Sequence, residues 1–73
     1  MKIKIKTKGG AERTISAGTF GIEPDELTIN FDDTTIYFEN ENDLWAADRA
    51  FVNALAEDAD GCTIDKVIKI NKL

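Results

Sequence analysis

Hydrophobic and polar residues alternate with a period of two over two pairs of segments, and this alternation predicts β-strands with one buried face. The first pair is residues 1–6 and 13–17, which are separated by Gly9-Gly10. The second pair is residues 27–31 and 35–38. We therefore expect two antiparallel hairpins in the first half of the chain.

Residue parity predicts the pairing of the first hairpin. A two-residue loop would place Lys4 opposite Ile15, so that a charge would face an apolar side chain. A three-residue loop places Ile3 opposite Ile15 and Lys6 opposite Glu12. We predict the three-residue loop, with a glycine bulge at the turn.

The second hairpin has two acceptable loops. A two-residue loop at Asp32-Asp33 pairs Ile29 with Ile36 and Leu27 with Phe38, whereas a four-residue loop shifts the partners but keeps the same apolar face. The other face is mostly polar in either case, as expected when one side of an antiparallel sheet is in water. It carries Thr28, Asn30, Thr35 and Tyr37.

Residues 18–25 are predicted to form a connection, because two glycines and the only proline interrupt them. Phe20 and Ile22 lie within this segment. We expect both side chains to pack under the edge of the core, because exposing two large apolar groups on a loop is unfavourable.

A single helix follows. Asn40 is a suitable N-cap with acidic residues after it, and we expect the helix to run to about Ala59, with Gly61 as its stop. Residues 63–66 then lead into a final strand over 67–73.

The apolar side of this helix is predicted from its 3.6-residue period. Leu44, Phe51 and Leu55 fall within a narrow arc, and Ala47, Val52 and Ala59 flank it. Asp48 also falls inside the arc, where a buried carboxylate would need a partner. We expect Asp48 to lie at the edge of the contact, or the helix to dock on another molecule.

The predicted fold is therefore α+β, a small antiparallel-rich sheet with one helix packed on one face, in the order ββββαβ. The length of 73 residues allows one domain, residues 1–73. No stretch has the apolar length of a signal peptide or a membrane helix. One unpaired cysteine favours a reducing compartment, so we predict a soluble cytoplasmic protein without membrane contact.

Charge is unevenly distributed along the chain. Residues 1–13 carry a net charge of +4, residues 14–65 carry −12 and residues 66–73 carry +3, which together give −5. Lysines on terminal strands protect sheet edges, and acids keep a small domain soluble. Alternatively, the acidic middle forms one negative surface that attracts a basic partner.

No residue pattern predicts catalysis, a cofactor or a metal, and we expect a non-enzymatic protein. The chain has no histidine to act as a base for Ser16 or Cys62, and no Cys/His set for zinc. Residues 58–61 resemble the middle of a calcium loop, but alanine and valine occupy its first and last ligand positions. A domain of this size also has little volume for a pocket that would shift carboxylate pKa values.

We predict that a protein or ribonucleoprotein with a basic surface binds the acids of the second hairpin and helix start, together with two aromatic side chains that are favoured in interfaces. The hairpin tip and the helix start lie at opposite ends of one strand, so these acids cannot all be adjacent. The predicted partner-binding residues are Asp32, Asp33, Tyr37, Glu39, Glu41, Asp43 and Trp45.

In size, composition and ββββαβ order, the chain resembles the small acidic inhibitors that phages and mobile elements encode against host defence, including anti-CRISPR proteins. The resemblance implies an inhibitor or regulator of a nucleic-acid-handling partner. One alternative is a nucleic-acid-binding protein that uses a lysine face of the terminal strands, although the net charge and the lack of an aromatic RNA-binding signature disfavour it. Another alternative is a homodimeric accessory subunit that pairs through an edge strand.

Overall fold

The computed structural model describes residues 1–16 and 18–72, which form six strands and one α-helix. A single 3₁₀ turn, Pro24–Glu26, lies between the third and fourth strands. The elements in chain order are β1 (Lys2–Thr7), β2 (Glu12–Ser16), β3 (Gly21–Glu23), β4 (Thr28–Phe31), β5 (Thr34–Phe38), α1 (Glu41–Ala56) and β6 (Gly61–Lys72).

The strands form one mixed sheet in the order β2-β1-β6-β5-β4-β3. Neighbouring strands are antiparallel except for β1 and β6, which are parallel. The α+β class is therefore confirmed, but the predicted order ββββαβ has one strand fewer before the helix than the structure has. The segment predicted as a connection contains β3, which pairs with β4 through Ile22 opposite Ile29. A three-residue strand that begins with a glycine and is followed by a proline is too short for the alternation to reveal it.

The predicted register of the first hairpin is confirmed, and the second hairpin has the two-residue loop of the two alternatives. Ile3 lies opposite Ile15, and the backbone N–H of Thr7 donates to the carbonyl of Ala11 at 2.9 Å, so the loop has three residues. In the second hairpin Ile29 lies opposite Ile36 across the two-residue loop. The predicted strand ends at residues 17 and 73 lie outside the described part of the chain.

The helix begins as predicted but ends earlier. The side chain of Asn40 accepts a hydrogen bond from the backbone N–H of Asp43, as an N-cap does. At the other end, Asp58 has a φ of 54°, and the N–H of Ala59 donates to the carbonyl of Ala54. This arrangement is a Schellman motif with aspartate in the left-handed position, so Gly61 is not the helix stop.

Strand β6 is longer than the predicted final strand, because it begins at Gly61 rather than at residue 67. Its first half pairs with β1 and its second half pairs with β5, and Val67 has partners on both sides. Lys66 has a φ of 63° where the register with β1 shifts by one residue. This bulge breaks the period-two pattern, which explains why the sequence did not reveal the first half.

The core lies between α1 and one face of the sheet. Ile3, Ile5, Ile36 and Val67 are among its fully buried sheet residues. Phe20 stacks on Phe51 with ring centroids 4.5 Å apart, and it lies against the core together with Ile22, as predicted. The buried residues of α1 are Leu44, Ala47, Phe51 and Ala54.

The predicted apolar arc of α1 is wrong on one side. Leu55 is 55% exposed and Val52 is 47% exposed, whereas Ala54 is buried. The helix is rotated so that Phe51 meets Phe20 and Phe31, whose ring centroids lie 4.5 and 5.5 Å from that of Phe51. The helical period of the sequence does not predict this rotation, because the rotation depends on a contact with Phe20, which lies outside the helix.

Replacing Gly61 with alanine should destabilise the protein. A Cβ at this position would lie 2.6 Å from the backbone oxygen of Lys2, on the neighbouring strand. We expect a loss of about 1–3 kcal/mol in the free energy of unfolding, because two paired backbones must move apart. Urea denaturation measures this, and Gly21→Ala is the control, since a Cβ there meets nothing within 4 Å. Equal stability of the two variants would contradict the prediction.

Candidate functional site

The predicted partner-binding residues are distributed over three parts of the molecule. Asp32 and Asp33 form the loop between β4 and β5, whereas Glu39, Glu41 and Asp43 lie around the start of α1. The two groups flank the five-residue strand β5, which is about 17 Å long at ~3.3 Å per residue. The structure therefore does not join the predicted acids into one surface, as the chain order already indicated.

The carboxylate of Asp32 is occupied by hydrogen bonds within the protein. It accepts from the backbone N–H groups of Gly18 and Thr19 at 3.0 and 2.9 Å, and from the Thr19 hydroxyl at 2.6 Å. These bonds, led by that of the hydroxyl, lower the pKa of Asp32 below its ordinary value. Asp32 thus ties the β4–β5 loop to the segment after β2, and this structural role was not predicted.

At the start of α1, Lys8 brings two of the acids together. Its ammonium lies 3.4 Å from a carboxylate oxygen of Glu39 and 3.2 Å from one of Asp43. The hydrogen bond to Asp43 is the main cause that raises the pKa of Lys8. Sequence reasoning missed this contact, because Lys8 lies 31 residues before Glu39 and only the fold brings them together.

Glu41 and Trp45 face the solvent near these acids. They are four residues apart on α1 and therefore lie on one side of the helix. Trp45 is 38% exposed, so its indole is only partly covered by the protein. We name Glu39, Glu41 and Asp43 the acidic helix start, and Trp45 is the exposed aromatic residue beside it.

Tyr37 lies elsewhere, on the sheet face that points away from α1. Its neighbours in β5, Ile36 and Phe38, are buried under the helix, so its own side chain points the opposite way. The Tyr37 hydroxyl accepts a hydrogen bond from the Asn71 amide at 3.3 Å, and the Lys69 ammonium lies 5.3 Å from the ring centroid. Tyr37 therefore cannot share a flat surface with Trp45.

The same uncovered face carries the lysines of the terminal strands. Lys2, Lys4 and Lys6 are exposed and alternate with the buried Ile3 and Ile5. The lysine face is defined here as Lys2, Lys4, Lys6 and Lys69. A shallow cavity of about 320 Å³ lies on it, lined by Lys2, Lys4, Thr14, Gly61, Cys62 and Thr63. The two terminal strands share this face because β1 pairs directly with β6.

The described part of the chain has few residues that could act as a nucleophile or hold a metal ion. Cys62 is half-buried, and burial raises the pKa of its thiol, which disfavours the nucleophilic thiolate. No three or more Cys, Asp or Glu side chains of residues 1–16 and 18–72 are placed to hold a metal ion. Over the same residues, no helix combines the length and apolar content that crossing a bilayer requires.

Comparison with protein-family models, with curated proteins and with solved structures finds no significant match to this chain.

Replacing Asp32 with asparagine should lower stability at neutral pH and flatten its dependence on acid. The folded-state pKa of Asp32 lies below its ordinary value, so the ionised carboxylate stabilises the fold above the unfolded-state pKa. This contribution disappears as the pH falls through the folded-state pKa, and the wild type and the variant should then converge.

Urea denaturation at neutral and acid pH measures this difference. Asparagine also tolerates the φ of 49° at Asp32, so the substitution tests the charge rather than the backbone. Asp33→Asn is the matched control, because an asparagine there still accepts the hydrogen bond from the Thr34 hydroxyl. A stability difference that persists unchanged in acid would contradict the assigned role.

Proposed function

We propose that this protein is a non-enzymatic cytoplasmic binding module that inhibits or regulates a macromolecular partner with a basic surface. The observation that carries the proposal is the exposed indole of Trp45 beside the acidic helix start. An aromatic anchor with carboxylates beside it is suited to a protein surface that presents lysine and arginine.

Electrostatics supports a basic partner over a neutral one. Residues 14–65 carry a net charge of −12, and their negative field accelerates association with a positively charged surface. Lys8 offsets part of this charge at Glu39 and Asp43, whereas Glu41 is in none of the ion pairs among the described residues. Glu41 is therefore the carboxylate of this group that is most available to a partner.

We propose a smaller binding site than the sequence alone suggested. Asp32 is engaged in holding the loop after β2, and Tyr37 lies on the other side of the sheet. We therefore assign partner contact to Glu39, Glu41 and Trp45, whereas Asp43, whose side chain is 13% exposed and paired with Lys8, holds the helix start in place. Asp32, Tyr37 and also Asp33, which lies at the far end of β5, are left outside the interface. Nucleic-acid-handling proteins present basic surfaces, so inhibition of such a protein, as in the phage anti-defence inhibitors, is the specific role that we propose.

Reversing the charge at the acidic helix start should abolish binding without unfolding the protein. We expect the double variant Glu39→Lys/Glu41→Lys to remain folded, because exposed ion pairs and first-turn charges contribute only about 0–1 kcal/mol each. Capture of proteins from nuclease-treated bacterial lysate, measured by quantitative mass spectrometry, should lose its salt-sensitive targets.

The matched control is Glu12→Lys/Asp65→Lys, which changes the net charge equally at two exposed residues on the sheet face away from α1. The control should still capture the same proteins. The assigned site would be contradicted if both double variants captured the targets equally. An equal loss in both would mean that net charge alone retains the targets.

A second candidate function is direct nucleic-acid binding by the lysine face. The observation in its favour is that this face is not covered by α1, carries four lysines and has a shallow cavity lined by two of them, Lys2 and Lys4. If this candidate is correct, Lys2→Glu/Lys4→Glu should abolish binding of a labelled single-stranded oligonucleotide, measured by fluorescence anisotropy. Binding that is unchanged in this variant, or absent from the wild type at low salt, would rule it out.

A further inference from the structure

Helix α1 has a second row of apolar residues that the sheet does not cover. Glu41, Trp45, Asp48, Val52 and Leu55 follow one another at intervals of four, three, four and three residues. We name these five residues the exposed seam. Three of them are the large apolar residues of α1 that remain exposed, at 38% for Trp45, 47% for Val52 and 55% for Leu55.

The spacing of the exposed seam is that of a helix–helix contact. Alternating steps of three and four residues place side chains in one row, and a second helix packs against such a row. The buried row of α1, at residues 44, 47, 51 and 54, uses the same spacing against the sheet. The exposed seam spans residues 41–55, or about 21 Å at a rise of ~1.5 Å per residue, which is long enough for about four turns of a partner helix.

A cavity of about 300 Å³ lies at the C-terminal end of the exposed seam. Leu55, Met1 and Ala59 contribute apolar groups to its lining, and Asp58 and Asp60 contribute carboxylates. The last turn of α1 contains no basic residue, so the negative end of the helix dipole adds to these two charges. A cavity lined by both apolar and acidic residues suits the aliphatic stem and cationic end of a lysine or arginine.

The charges of the exposed seam disfavour a second copy of this chain as its occupant. Pairing two seams in register, either parallel or antiparallel about Asp48, places Asp48 against Asp48, and like charges in contact destabilise an interface. It also brings together two chains that each carry a net charge of −5. A cationic side chain opposite Asp48 removes this repulsion.

We propose that the exposed seam and its cavity bind a basic amphipathic helix of a partner protein. Apolar residues of that helix cover Trp45, Val52 and Leu55, and its lysines or arginines meet Asp48 and enter the cavity beside Asp58. This inference rests on the proposed function, because it names the structural class of the basic partner and extends the contact from the acidic helix start along α1.

The probe is a synthetic helical peptide with leucines at alternating three- and four-residue intervals and lysines at the flanking positions. Trp45 is the only tryptophan in the chain, so its emission reports binding at the seam itself. We expect a blue shift that saturates with the peptide and weakens with salt. A peptide with glutamate in place of lysine should produce no shift.

Two pairs of variants separate the apolar and the charged contributions. Val52→Ser/Leu55→Ser keeps the net charge and should weaken binding about tenfold or more, because two apolar contacts are lost. Its control, Ala46→Ser/Asn53→Ser, changes exposed residues on another side of α1 and should bind as the wild type does. Asp48→Asn/Asp58→Asn should also weaken binding, whereas Glu12→Gln/Asp65→Asn, with the same loss of charge on the sheet face away from α1, should not.

Three results would overturn the proposal. They are an unchanged Trp45 emission at saturating peptide, an equal affinity of the wild type and Val52→Ser/Leu55→Ser, and a concentration-dependent dimer that this variant abolishes. The lysate capture experiment distinguishes a failure of this inference from a failure of the proposed function. Targets captured from lysate that are lost in Glu39→Lys/Glu41→Lys but retained in Val52→Ser/Leu55→Ser would reject the seam and leave the acidic helix start as the binding site.

Discussion

The close approach of β6 to β1 at Gly61 is the contact on which the rest of the sheet depends. Strand β6 is the only strand that touches both halves of the described sheet, since β1 and β2 lie on one side of it and β5, β4 and β3 on the other. An added methyl group at Gly61 would collide with the Lys2 carbonyl. The absence of a side chain there allows the parallel pairing that joins the two hairpin-containing halves.

The central position of β6 also explains how α1 is oriented. The helix must return from the end of β5 to the start of β6, and it crosses the apolar face of the sheet on the way. Its rotation about its own axis follows from the aromatic contacts of Phe51 with Phe20 and Phe31. Turning Phe51 toward these rings leaves Val52 and Leu55 in contact with solvent. The exposed seam is thus a consequence of how the core packs.

The two sides of the protein consequently have different chemistry. The sheet face away from α1 presents alternating lysines, whereas the helical side presents carboxylates and the partly exposed Trp45. A domain of 73 residues with one helix cannot cover both faces of a six-stranded sheet. Two surfaces therefore remain available for binding. Because their charges are opposite, they favour different classes of partner.

Short-range sequence features were enough to predict much of the local structure. Alternation predicted both hairpins, parity predicted the register of the first, and Asn40 predicted the start of α1, because these features depend on neighbouring residues and on short loops. The tertiary structure alone decided the parallel β1–β6 pairing, the added strand β3 and the contact of Lys8 with Glu39 and Asp43. It also decided which apolar residues of α1 are buried. These outcomes join residues far apart in the chain, and a helical or strand period does not specify which distant surface a face will meet.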